Sequence, residues 1–170
     1  MKFAIITFVP HILKDSKYYA YSPYVREMNV WSKYAKEIIL VAPQVLGKLS
    51  PIENPYNHKN INFIKIDSFD VLNLKSIVLS IYKIPRISWH IFSAMQKADH
   101  IHLRCPGNVG LLGCFIQILF PNKPKTAKYA GNWDSKSKQP WTYKLQQWIL
   151  NNALLTRNMQ VLVYGSWEGV

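Results

Sequence analysis

The chain has 170 residues, a formal net charge of +12 and 49% hydrophobic residues, with 7 Phe, 6 Trp and 10 Tyr. So much apolar surface excludes a disordered chain, and the length suits one domain with a real core rather than two. The cationic excess draws anionic partners, whether phosphorylated substrates, anionic lipid or nucleic acid.

Taken in order, Lys2 to Val9 is an unbroken apolar run that fits a central parallel strand covered on both faces. Its interruption by Pro10 and His11, with no small-residue cleavage site after them, argues against a signal peptide. A loop follows. Ser22 and Pro23 form a helix start, the serine accepting from first-turn amides. Tyr24, Met28, Trp31 and Ala35 then recur at helical spacing on one buried face. Glu37 to Pro43 predicts a second buried strand and Ile61 to Asp67 a third, nearer the sheet edge. The stretch between them, Gln44 to Asn60 with Pro51 and Pro55, is expected to be a mobile loop. Leu72 to Lys97 is helical in pattern but must break or kink at Pro85, giving two pieces.

The remaining strands are expected at Ile101 to Cys105, Thr126 to Ala130 and Val161 to Tyr164, with helices at Val109 to Phe120 and Pro140 to about Thr156. In the last helix Trp141, Leu145, Trp148, Ile149, Asn152 and Leu155 fall on one stripe. The longest apolar run, Val109 to Phe120 broken only by Gln117, is shorter than the roughly 20 residues that cross a bilayer. Right-handed crossovers turn this alternation into one α/β, Rossmann-like domain spanning residues 1–170. It would be a doubly wound, mostly parallel sheet of about six strands in the order 3-2-1-4-5-6, with helices on both faces. The ligand crevice then lies at the carboxyl ends of the first and fourth strands, between the loops starting at Val9 and Cys105.

Four constellations bear on chemistry. After the first strand, Pro10 to Ser22 contain no glycine, so nicotinamide and flavin binding are not expected, while His11, Lys14 and Lys17 either meet a phosphate or sugar hydroxyl or form a solvated basic loop. In CPGNVG, Gly107, Asn108 and Gly110 open a helix: either the turn cradles an anion or its glycines only let helix and strand approach. Arg104, at a buried strand end, needs an anionic ligand or an internal salt bridge, with Asp99 or Asp134 as partners. Gly131, Asn132, Trp133 and Asp134 deliver an amide, an indole and a carboxylate to the same edge. They either bind a polyol, or Trp133 plugs the core and Asp134 caps a turn.

The basic amphipathic region Lys75 to Lys97 either lies on an anionic membrane or is an ordinary surface helix. His100 and His102 share a strand face and read as structural, and Cys105 and Cys114 as reduced buried thiols. No recognised nucleic-acid module is visible, and no metal or other cofactor is expected.

The runs IHLRCPGNVG, KPKTAKYAGNWD, WTYKLQQWIL and VLVYGSWEG together resemble the N-terminal half of bacterial group 1 glycosyltransferases, family 4, with the two-domain GT-B architecture. The resemblance implies an acceptor-binding domain, paired in that family with a second domain that binds a nucleotide sugar, in a metal-free, retaining transfer to a glycan or lipid-linked acceptor. It implies work in cell-surface polysaccharide synthesis, in the cytoplasm or at the inner face of the membrane. His11 and Asp134 are its implied catalytic groups, and Arg104, Gly107, Asn108, Gly110, Asn132, Trp133 and Lys17 its substrate-binding ones. Because the chain stops at Val170, where the donor-binding domain of that family begins, these residues alone are expected to be inactive. The competing expectation is a non-catalytic Rossmann-like module for a nucleotide or other anion.

Overall fold

The computed structural model describes residues 1–67, 82–134 and 136–165. Its centre is a six-stranded, all-parallel sheet built from β1 (Lys2–Ile6), β4 (Glu37–Pro43), β6 (Ile61–Ile66), β7 (His100–Cys105), β8 (Lys125–Tyr129) and β9 (Met159–Leu162). The spatial order is β6-β4-β1-β7-β8-β9, which is the expected 3-2-1-4-5-6. β1 lies between β4 and β7, pairing Ile5 with Leu40 and Ile6 with Leu103. Alternate residues of these central strands enter opposite cores. Phe3, Ile5, Ile38 and Leu40 meet helix α1 (Ser22–Trp31) through Tyr24, Val25 and Met28. Ala4, Ile6, Ile39, Val41 and Leu103 meet α2 (Ile84–Lys97), α3 (Asn108–Ile116) and α4 (Trp141–Leu150). Burial on both faces is why β1 and β4 read as continuous apolar runs.

Several expectations change. The stretch after β1 is a hairpin, β2 (Ile12–Lys14) and β3 (Lys17–Tyr21), turning through Asp15 and Ser16 at positive φ. The expected mobile loop at 44–60 contributes β5 (Glu53–Pro55), which pairs antiparallel with β3 and completes a second, three-stranded sheet. The pairing is non-local, joining residues more than thirty positions apart, so neither stretch announces it locally.

Ser22 is the first helical residue and makes no side-chain cap; its N–H instead donates to the Ile52 carbonyl at 2.8 Å. Pro85 sits in the first turn of α2, where its missing N–H costs nothing, so it opens that helix rather than kinking it. The piece expected before it, from Leu72, lies outside the described residues. The helix expected from Val109 ends at Ile116 and tightens into a 3-10 turn at Gln117–Leu119. In α4 the stripe is split by burial: Trp141 and Trp148 are exposed, while Thr142, Gln146, Gln147, Ile149 and Leu150 face inward. Polar side chains win those positions because they serve backbone groups at the sheet edge.

Two lysines hold helix ends on this face. Lys123 Nζ donates to the carbonyls of Met95, Gln96 and Ala98 at 2.9, 2.7 and 2.6 Å, closing the C-terminus of α2. Buried Lys125 reaches the Phe120 carbonyl at 2.9 Å, and desolvation lowers its pKa to about 8. An ammonium at a helix C-terminus satisfies orphan carbonyls and complements the dipole. Lys123→Met is expected to cost about 1–2 kcal/mol, a drop of several degrees in thermal midpoint. An unchanged midpoint would show that water replaces the ammonium without loss.

Candidate functional site at the carboxyl edge of the sheet

The carboxyl ends of β1, β7 and β8 carry loops that touch in sequence. Gly107 lies so close under Phe8 that a Cβ there would come within 2.6 Å of the ring, and a Cβ on Gly131 would come within 3.0 Å of Pro106. The Ala130 N–H donates to the Cys105 carbonyl at 2.7 Å, tying the last two loops together. Beside this contact α3 begins at Asn108, behind an N-cap, Gly107, that has no side chain with which to cap it. The Gly107 N–H donates to Oε1 of fully buried Gln146 at 3.2 Å, so α4 positions the turn from below. Arg104, Gly107, Asn108, Gly110, Asn132, Trp133 and Asp134 all belong to these adjoining strand ends. His11 and Lys17 do not.

Arg104 finds its internal partner in Glu27 of α1, at 2.7 Å, and neither Asp99 nor Asp134 takes that role. The pair is largely sheltered, with side chains 12% and 23% exposed, and the guanidinium lies over the Tyr24 ring at 5.6 Å. Only Nη1 is bonded to the carboxylate; the other guanidinium nitrogens have no protein acceptor among the described residues. Glu27 thus orients Arg104 while leaving donors to spare. The signal for Glu27 in the sequence is thin: it is a lone carboxylate on a helix marked by its apolar spacing.

His11 is carried away from β7. Beyond Val9 the chain bends toward β4, with His11 N–H on the Pro43 carbonyl at 2.9 Å and the Val45 N–H on the His11 carbonyl at 2.9 Å. Its imidazole is fully buried, Nδ1 donating to the Val9 carbonyl at 2.8 Å and Nε2 facing the Tyr56 hydroxyl at 3.0 Å, which in turn is hydrogen-bonded to the Tyr24 hydroxyl at 3.1 Å. Burial lowers the His11 pKa to about 4, outweighing the carbonyl, and raises that of Tyr24 to about 12. The ring is neutral and both nitrogens are engaged. Lys17 opens β3 and lines a separate cavity of about 410 Å³ with Tyr18, Tyr56, His58 and Lys59, beside the amino end of β6.

In the loop after β8, Asp134 Oδ1 accepts the Lys136 N–H at 2.8 Å and Asn132 Oδ1 accepts the Asp134 N–H at 2.9 Å. The Asn132 carbonyl accepts from both Gln139 and Gln147, at 3.0 and 2.9 Å. Trp133 packs edge-on against Tyr129, ring centroids 5.0 Å apart, at the rim of the core. These contacts hold the loop in one shape, with Asp134 capping its own turn while its second oxygen stays without a protein partner among the described residues.

Elsewhere, His100 and His102 do share one face of β7, and both reach Thr126 Oγ1, at 3.1 and 2.8 Å. Among the described residues no three His, Cys, Asp or Glu side chains are grouped to hold a metal ion. Cys105 and Cys114 are free, buried thiols with sulfurs 3.8 Å apart. No helix among the described residues is long and apolar enough to cross a membrane. No protein-family model matches the chain, and no curated protein searched matches it.

Proposed function

We propose that the carboxyl edge at β1, β7 and β8 is the acceptor-side wall of a sugar-transfer site, in a retaining glycosyltransferase acting from a nucleotide-sugar donor on a glycan or lipid-linked acceptor of cell-surface polysaccharide. The observation that carries this reading is Arg104: a sheltered guanidinium, oriented by Glu27, at the end of the strand that leads into a helix start with glycine as its N-cap. Transfer of a sugar leaves a diphosphate whose growing charge needs fixed donors, and an oriented arginine beside helix N–H groups is suited to that task. The Asn132 to Asp134 loop, held by Gln139 and Gln147, offers a carboxylate oxygen and an amide to sugar hydroxyls. In this reading His11 acts by bracing the Val9 turn rather than by moving protons, because it is neutral and enclosed.

A second reading, a non-catalytic module for an anionic ligand, is favoured by one observation: the chain's expected histidine base is inaccessible. The test is release of nucleoside diphosphate from a panel of nucleotide sugars by the whole gene product. Arg104→Lys keeps a cation for Glu27 but loses the guanidinium fork, and is expected to lower kcat about tenfold with the fold intact. Turnover unchanged in the variant would remove Arg104 from the reaction. Absence of turnover for every donor, together with saturable phosphate binding that the variant weakens, would establish the binding module instead.

A further inference from the structure

Among the described residues, the three helices that cover one face of the sheet contain no aspartate or glutamate: α2, α3 and α4 are IPRISWHIFSAMQK, NVGLLGCFI and WTYKLQQWIL. They form one layer, sharing a single core and lying in the order α2, α3, α4. Their exposed charges are Arg86, Lys97 and Lys144. Among the described residues, every tryptophan that is mostly exposed stands on this layer: Trp89 at 67%, Trp141 at 66% and Trp148 at 60%. Trp141 and Trp148, seven residues apart on α4, project from the same side with Lys144 between them. Trp89 stacks on Phe92, and Phe92 packs at a tilt against Phe120, at centroid distances of 5.9 and 5.3 Å, so an aromatic ridge runs from α2 to the turn that follows α3.

We infer that this face docks on an anionic lipid surface. Indole rings favour the boundary between headgroups and acyl chains, and arginine and lysine beside them meet lipid phosphates. The absence of carboxylates across three successive helices removes the repulsion that an anionic bilayer would otherwise impose. It also argues against a second copy of the chain as occupant, because a two-fold contact through this face would set uncompensated cations against one another. The inference stands apart from the sugar-transfer reading: it concerns the helical face, not the carboxyl edge. It moves the expected membrane contact from the Lys75 to Lys97 region onto the face of α2, α3 and α4; Lys75 itself lies outside the described residues.

The test is sedimentation of the purified chain with phosphatidylcholine vesicles, with and without added phosphatidylglycerol, over a range of salt. Binding is expected only to the anionic vesicles, falling as salt rises and accompanied by a blue shift of tryptophan emission. The pair Arg86→Gln and Lys144→Gln should weaken it about thirtyfold, and Trp89→Ser with Trp148→Ser at least about tenfold. All four side chains are exposed, and circular dichroism checks that the variants stay folded. Equal recovery with neutral vesicles, or no recovery with either, would overturn the inference. So would tryptophan variants that bind as well as the parent, which would reduce the effect to bulk charge. Concentration-dependent dimerisation lost in the tryptophan variants would assign the face to a second copy.

Discussion

Lowering the pH from 7.5 to 5.0 is expected to remove about 4 kcal/mol of folding stability, a large share of the roughly 5–15 kcal/mol that a domain has. Two fully buried imidazoles are responsible. Desolvation lowers the His11 pKa to about 4 and that of His102 to about 3, where Arg104, His100 and Lys128 add repulsion. An unfolded histidine titrates near 6.5, so between that pH and the folded values the unfolded state binds protons that the native state refuses. Stability is therefore complete above about pH 6.5 and falls as pH drops toward 4 and 3, at about 1.4 kcal/mol per unit for each ring. His102 is the harsher of the two, because its Nε2 is buried near the rings of Phe3 and Trp31 without a hydrogen-bond partner among the described residues.

Urea unfolding at several pH values reads the effect directly. Replacing His102 with Asn retains a group for Thr126 and should halve the slope of stability against pH, whatever it does to stability at pH 7.5. A flat profile between pH 7.5 and 5.0, or a slope indifferent to the substitution, would show that these imidazoles are charged or hydrated in the native protein.

Gly110→Ala is expected to destabilise the fold by about 2–3 kcal/mol, although alanine is the better helix former. A Cβ at this position would lie 2.8 Å from the Arg104 carbonyl oxygen and 3.1 Å from both Cys105 Sγ and Gln146 Oε1. One of these neighbours is strand backbone and two are fully buried side chains, so α3 as a whole must retreat from β7. Gly107 makes the contrast. Its Cβ would strike the ring of Phe8, an exposed side chain that can swing away, while its backbone stands at φ 158°, so Phe8→Ala should relieve the clash of Gly107→Ala and leave the backbone strain. Thermal unfolding of the variants separates the two cases, and a neutral Gly110→Ala would mean that the helix is not wedged against the strand. The result bears on the CPGNVG turn: close approach of helix to strand already accounts for Gly110, and ligand binding need be sought only at Gly107 and Asn108.

Much of the fold was legible because burial on both faces writes an unmistakable pattern. FAII, IILVA and HIHLRC are central strands in any arrangement that alternates strand and helix, and crossover handedness then leaves few orders to choose from. The site was legible only as a location. Arg104 and the Asn132 to Asp134 loop do stand at adjoining strand ends. Their partners were hidden, because Glu27 and Gln146 come from helices 77 and 39 residues away from the groups they hold. Lys17 and His11 follow β1 closely in sequence, yet Lys17 stands on a hairpin whose second strand pairs with β5 and His11 turns toward β4, and neither distant pairing has a local signature.

Sequence alone thus determined the class of sheet, the order of its strands and the edge at which polar groups arrive, since these follow from apolar runs and chain handedness. Tertiary structure decided everything that depends on pairing across distance. It chose Glu27 for Arg104, enclosed His11 behind Tyr56, turned the glutamines of α4 inward and its tryptophans outward. The physical reason is the same in each case. A buried polar group must find a partner, and where that partner lies is known only once the chain has folded.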